Sequence, residues 1–421
     1  MLTFRRDRGS SFCVSLAALT LVLAASDQPR RPTLALLDVV RDGDPGVANL
    51  GSPRQVALSP DGSNAYVVAY QDNAVSVFVR DSGTGLLTFL EDHIDDTNDV
   101  DGLNWASDVE VSPDGKHVYV TGRSDDSLAW FHRNLAYGTL TYLGIVKDEL
   151  AGVDGLDDAT SLTLSPDGIN VYATGEADNS VAVFTRNPVT GALIYEQVLV
   201  DGVGGVDGLE GAQQIAISPD GKHAYVTGAY DNALAVFSRS GVDGSLTSEE
   251  VHWDDYLGVD GLEGAFGVAV SPDGKHVYVN GYFDNSVAAF SRNPTTGSLT
   301  FLGLQPDETG SLHGIDGSAG LAFSADGATV YVTAYDDDAL LVFARNAVSG
   351  RLTPVEARYD GKDGFDGLDG CFGIAVSPDG KYLYVTADSA DSVATFLSSQ
   401  MEVWRAELFG HLSPFASATG G

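Results

Sequence analysis

The tetrapeptide SPDG begins at Ser59, Ser112, Ser165, Ser218, Ser271 and Ser377, and SADG stands at Ser324, so seven copies follow one another every 53 residues. An unbroken period of that length means seven copies of one supersecondary unit, each of which must bury its apolar face against its neighbours. Every copy holds four short runs of strand character. In the fifth, GVAV (Gly267 to Val270) runs into SPDG, and HVYV (His276 to Val279), SVAAF (Ser286 to Phe290), the turn NPTTG and SLTFL (Ser298 to Leu302) follow. Asp-Gly tolerates positive φ and Pro pre-sets its own, so these are short turns that join antiparallel strands. Four strands repeated seven times predict an all-β chain, a seven-bladed β-propeller of four-stranded antiparallel blades.

The first strand of each unit alternates large aliphatics (Val56 and Leu58, Val109 and Val111, Ile215 and Ile217, Leu321 and Phe323, Ile374 and Val376) with small residues such as Ala57, Ala216, Ala269, Ala322 and Ala375. Period two sends the two sets to opposite faces, which suits narrow inner strands near a crowded axis. The outer strand carries Leu87, Leu140, Leu193, Leu246, Leu299 and Leu352. One period earlier lies Leu34, whereas one period later lies Arg405 in the unmatched segment MEVWRAELF. The N-terminal segment is therefore expected to supply the last blade's outer strand and close the ring. The expected organisation is an export signal at 1–26, a propeller at 27–398 and a non-repeat tail at 399–421.

The signal reading rests on Arg5, Arg6 and Arg8, then the apolar run from Phe12 to Ala25 ending in small residues. That run is short for a bilayer span, and nothing later reads as transmembrane, so a secreted, periplasmic or cell-surface location is expected. Cleavage would remove Cys13 and leave Cys371 alone, so stability must come from packing rather than a disulfide. The formal net charge of −36 argues against nucleic acid, whose phosphates need cationic partners. It suits divalent cations, cationic ligands or solubility outside the cell.

The phrases VYVTG (Val118 to Gly122), AYVTG (Ala224 to Gly228) and DNSVAVF (Asp178 to Phe184) carry a resemblance. SPDG-K-H-x-YVTG resembles the YVTN-type repeat and the broader lactonase-like seven-bladed propellers that include 6-phosphogluconolactonase, over roughly Thr33 to Phe396. The resemblance implies the propeller fold and, more loosely, lactone hydrolysis with arginines that hold an anionic substrate near a His-containing lead-in. The corresponding lead-ins here contain no His.

Strand direction sorts the loops onto two rims. The bottom bears Arg80, Arg133, Arg186, Arg239, Arg292 and Arg345, again one period apart. Strict repetition favours local pairing with the SPDG aspartates over a docking ring. The top is acidic: GVDGLEGA occurs at Gly205 to Ala212 and again at Gly258 to Ala265. Asx turns that shape the blade crossings explain it. Asp360, Asp363, Asp366 and Asp369, three apart among glycines, are also candidate Ca²⁺ ligands. Function should lie where blades differ. Ahead of the inner strands, one side offers Arg54, Gln55, Asp108, Ser161, Gln213 and Gln214, and the other offers Phe266 and Phe372 among glycines. With Glu110, Arg123 and His252 these polar residues form the candidate channel-mouth site. His93 and His313 lie on other top crossings. Three functions fit: an exported binding or scaffold module for a small molecule, cation or envelope partner, which the charge favours; a lactonase-like hydrolase of a neutral or extracytoplasmic lactone; or a surface protein that self-stacks acidic top to basic bottom.

Overall fold

The computed structural model describes residues 34–307 and 313–398; the expected export signal and C-terminal tail lie outside the described residues. Seven four-stranded antiparallel sheets are arranged as blades. Blade one consists of β2 (Pro53–Leu58), β3 (Asn64–Ala69), β4 (Ala74–Arg80) and β5 (Leu87–Ile94), and blade two of β6 (Ala106–Val111), β7 (His117–Gly122), β8 (Ser127–Arg133) and β9 (Leu140–Lys147). The last blade orders β26 (Cys371–Val376), β27 (Tyr382–Ala387) and β28 (Ser392–Ser398), with β1 (Leu34–Arg41) as its outer strand. Leu34 lies opposite Ser398 and Arg41 opposite Ser392, so the N-terminal strand closes the ring as the leucine period predicts.

Apolar cores lie between blades. Val109 and Val111 of β6 pack with Tyr66, Val68, Val75 and Val77 of blade one, all buried. The second strand of every blade is buried throughout. An isolated blade would leave these faces in water.

The top crossings explain the Asp-rich phrase. In all seven, an Asp (Asp42, Asp95, Asp148, Asp201, Asp254, Asp307 or Asp360) accepts the N–H eight residues on, at 2.9–3.2 Å. A second Asx, at Asn73, Asp126, Asn179, Asn232, Asn285, Asp338 and Asp391, adopts φ between 46° and 54°. Its side chain accepts an N–H of the next blade's crossing at 2.7–3.2 Å. Gly208 within the phrase sits at φ 84°, and a Cβ there would meet Val251 at 2.4 Å, so both conformation and space demand glycine.

The bottom arginines pair, but between blades rather than within one. Arg133 Nε donates to the Tyr66 hydroxyl at 2.7 Å, Nη2 reaches Asp61 at 3.0 Å and Nη1 donates to Gly115 O at 3.2 Å. The Tyr66 hydroxyl donates in turn to Gly138 O at 2.9 Å. Arg80, Arg186, Arg239, Arg292 and Arg345 repeat the clamp, with side chains 1–4% exposed. Burial alone would raise the Asp114 carboxyl, but hydrogen bonds from Ser112 and Lys116 and the Arg186 guanidinium hold it down at about 2. Removing one partner of such a buried set leaves the other uncompensated. Arg133→Ala is expected to destabilise the fold by about 3–5 kcal/mol in denaturant unfolding. Arg133→Lys should recover little of that loss, because an ammonium cannot span three acceptors in a plane.

Candidate functional site

Each inner strand breaks its ladder just below the top rim. Ser107 and Asp108 lie in the register shift between Ala106 and Val109, Gln213 and Gln214 in that between Ala212 and Ile215, and Phe372 and Gly373 in that between Cys371 and Ile374. Such bulges bend a strand and re-aim its side chains. The Thr of the YVTG phrase holds the displaced backbone. Thr227 Oγ1 accepts the Gln214 N–H at 3.0 Å and donates to Phe266 O of the next blade at 2.6 Å. Thr386 likewise joins Gly373 N to Arg54 O across the ring closure. Repeated positions thus present their side chains to one mouth, and their differing identities make it asymmetric.

A cavity of about 90 Å³ opens there, lined by Arg54, Gln55, Tyr70, Ser107, Asp108, Arg123, Thr160, Ser161, Gln213, Gln214, Phe266 and Phe372. One wall is aromatic: Phe266 and Phe372 meet edge to face with centroids 5.5 Å apart. Arg54 lies between the Tyr70 and Phe372 rings, 4.9 and 4.6 Å from their centroids, and pairs with Asp388 at 2.9 Å. Its buried Nε has no hydrogen-bond partner among the described residues. Arg123 pairs with Asp158 and Glu176 of the next blade, so both arginines reach the mouth charge-balanced.

Asp108 is the acid of the opposite wall. Its carboxylate accepts Ser161 Oγ at 2.8 Å and the Leu162 and Val109 N–H groups at 2.9 and 2.8 Å. Burial outweighs these bonds and pushes its carboxyl up to about 6. Glu110 sits one pleat deeper on β6. Although only part-buried, it lies where burial, and then the Asp108 charge, push its carboxyl up to about 8.

Of the sequence candidates, the structure gathers Arg54, Gln55, Asp108, Arg123, Gln213 and Gln214 around one cavity. Glu110 lies outside its lining, and so does His252. The latter is on the outer strand β17 (Leu246–Trp253), with Nε2 3.1 Å from Glu250 and its ring against Phe290. His93 repeats that arrangement with Glu91 and Phe131, and His313 is exposed. The proposed Ca²⁺ ligands do not converge. Asp360 accepts the Leu368 N–H, Asp366 pairs with Arg41 at 2.8 Å, and Asp363 and Asp369 are exposed. Carboxylate triads of other members form instead, for example Asp95, Asp101 and Asp125. There Asp95 and Asp125 already accept crossing N–H groups. Tyr70, Ser107 and Thr160 are cavity residues that the sequence reading missed. The 53-residue period would have found them, since Tyr70 is the blade-one equivalent of Arg123, and Ser107 and Thr160 are equivalents of Arg54.

The raised Glu110 carboxyl has a stability consequence. The folded chain keeps a proton that the unfolded chain loses near the ordinary value of 4.5. Stability contributed by the protonated form is therefore lost as pH rises from about 4.5 to about 8. Glu110→Gln is expected to raise the unfolding free energy at pH 9 by on the order of 1–3 kcal/mol, read as a higher unfolding midpoint. It should change the midpoint little at pH 4, and an equal change at both would remove the desolvation explanation.

Comparison with known proteins follows the same lines. The family described as "Lactonase, 7-bladed beta-propeller" matches residues 46–194, 161–255 and 207–366. An uncharacterized protein of Staphylococcus epidermidis is 32% identical over 145 residues, 34% of this chain and 40% of that protein. A 6-phosphogluconolactonase of Pectobacterium atrosepticum is 22% identical over 166 residues, 39% and 49% of the two chains. The chain thus matches less than half the length of these relatives. Among solved structures, the periplasmic gluconolactonase of Pseudomonas aeruginosa superposes with a TM-score of 0.60 at 22% identity, covering 72% of this chain and 85% of that one. A putative 6-phosphogluconolactonase of Bacteroides fragilis gives 0.59 at 24% identity, covering 75% and 85%. At such identities the likeness is one of fold. The family match spans most of the ring, and with it the whole lining of the mouth except Phe372: the chain belongs to the lactonase family of seven-bladed β-propellers.

Proposed function

We propose that the chain hydrolyses a small uncharged lactone at the top mouth. The observation that carries this reading is Asp108, a carboxylate poised near neutrality on one wall of a cavity whose other wall holds Arg54 between two aromatic rings. A base is most effective with a pKa near the working pH. In the proposed step, Asp108 takes a proton from a water whose oxygen adds to the lactone carbonyl carbon. The Arg54 guanidinium, in the cavity lining, faces the oxygen that gains charge. The ring C–O bond then breaks, and the proton held on Asp108 passes to the leaving alkoxide, giving a hydroxy acid. Gln213 and Gln214 supply amides for ring hydroxyls, and Phe266 and Phe372 offer an apolar face to the ring carbons.

Charge favours a neutral substrate over a phosphorylated one. Arg54 and Arg123 are each already paired with acids, and the rim around them is strongly acidic, so a phosphate would find repulsion without an unpaired cation. The gluconolactonase of Pseudomonas aeruginosa, periplasmic by its description, supports both a neutral lactone and a location outside the cytoplasm, which also suits the N-terminal signal reading.

The test is a panel of neutral and phosphorylated aldonolactones, with ring opening followed by acid release. Activity on a neutral lactone is expected to rise with pH through about 6, because only the ionised Asp108 accepts a proton. Asp108→Asn should lower kcat about 100-fold or more and abolish that rise, whereas Arg54→Ala should act on KM as well. Hydrolysis unaffected by Asp108→Asn would remove Asp108 from the chemistry. No hydrolysis across the panel, with a lactone still bound at the mouth, would return the chain to a binding role.

A further inference from the structure

The clamp that joins blade to blade on the bottom rim is missing at one place, between the sixth and seventh blades. The arginine position there is Ser398, at the end of β28, and its hydroxyl meets that of Tyr331 at 2.8 Å. Ring closure accounts for the gap. In the first six blades the third strand turns directly into its own outer strand, and a turn glycine offers its carbonyl to the preceding blade's tyrosine, as Gly138 does to Tyr66. The seventh blade draws its outer strand from the N-terminus, so among the described residues no such hairpin follows β28.

A cavity of about 150 Å³ remains, lined by Ser324, Asp326, Asp379, Gly380 and Lys381 together with Ser398. Two acceptors of the clamp, the carboxylate and the glycine carbonyl, line it with no arginine among the described residues, whereas the Tyr331 hydroxyl is already held by Ser398. Asp326 stands where Asp61, Asp114, Asp167, Asp220, Asp273 and Asp379 each receive an arginine at 2.7–3.3 Å. Gly380 stands where six glycines accept an arginine Nη1 at 2.8–3.2 Å. The Asp326 carboxylate accepts the Ser324 hydroxyl and the Ala328 N–H, and no arginine reaches it among the described residues. Lys381 beside the slot does not exclude a planar cation. In blade two, Lys116 lies 3.5 Å from Asp114 while Arg186 binds the same carboxylate at 2.8 Å.

We propose that this slot binds a guanidinium group, carried by a small free cation or by an arginine side chain of another molecule. The six filled clamps specify the ligand: a flat, multi-donor cation that bridges the carboxylate and the backbone carbonyl. The site lies on the rim opposite the mouth and does not depend on lactone hydrolysis.

Thermal unfolding of the full chain with millimolar methylguanidinium, against methylammonium at equal concentration, tests it. The expected result is a saturable rise of a few degrees with methylguanidinium alone. That rise should disappear in Asp326→Asn and in Ser398→Arg, the latter having a higher midpoint without ligand because its own side chain occupies the slot. A similar rise with a blocked Gly-Arg-Gly peptide would extend the site to protein side chains, and its absence would restrict the site to small cations. No selective rise in the native chain, or an undiminished rise in Asp326→Asn, overturns the proposal. If Ser398→Arg does not fold, Asp326→Asn decides.

Discussion

Everything in this molecule depends on contact between neighbouring blades, because no blade has a core of its own. A four-stranded sheet with two apolar faces must be covered on both, and here each face is covered by the next copy of itself. The aliphatic burial is generic and would tolerate sliding. The Arg133–Tyr66–Asp61 clamp and its repeats are directional and fix how one blade sits on the next. On the opposite rim the crossing Asx residues do the same work, six reaching 32 residues along the chain into the next blade's loop and Asp391 reaching back to Ser52 across the closure. The ring is therefore sewn at both edges and packed in between, and closing it with β1 makes the first and last blades hold one another.

Symmetry of that kind separates what the chain repeats from what it varies. The Thr of YVTG recurs in five blades, at Thr121, Thr174, Thr227, Thr333 and Thr386, where it satisfies an N–H that the bulge leaves unpaired. The bulged residues themselves are free to differ. Arg54, Ser107, Thr160, Gln213, Phe266, Ala319 and Phe372 occupy one equivalent place around the axis, and no two adjacent members are alike. A scaffold that fixes seven backbone positions while leaving their side chains open is a means of building one asymmetric cavity from identical parts. Blade two departs furthest, with Asp108, Glu110 and Arg123 all on its strands or loops, and it holds both the raised acid of the mouth, Asp108, and the raised acid below it, Glu110.

The fold was legible because its evidence is arithmetic. Six SPDG copies with SADG as the seventh, six outer-strand leucines and Leu34 one period before them define blade number, strand order and closure without reference to any contact. The candidate site was legible to the extent that it follows the same count. Arg54, Gln55, Asp108, Gln213 and Gln214 stand at equivalent places ahead of their strands and converge. His252 was misplaced because a crossing was read as a continuous loop over the mouth. The outer strand runs to Trp253, and the ring is held on the outside by Glu250 and Phe290. Tyr70, half-buried against Trp105, carries no signal in its own blade, where an aromatic before an Asp-Asn turn looks like loop filler. The partners of the bottom arginines could not be chosen from the sequence, since each lies one blade away from its aspartate rather than in the nearest turn.

The acidity of the chain takes on a different meaning once those loops are in place. Ten aspartates and four asparagines are consumed in holding seven crossings, so part of the negative charge is a by-product of turn construction. A by-product still exerts a field. The top rim carries carboxylates around a mouth whose two arginines are already paired, and an approaching anion meets the rim before it meets Arg54. Selection against charged ligands would then arise from the architecture rather than from any residue that touches the substrate. Exchanging a mouth residue would be a poor way to admit a phosphorylated lactone. Replacing crossing aspartates by asparagine would keep an amide oxygen as acceptor for the same N–H groups while lowering the field, and so would relax the discrimination without dismantling the loops.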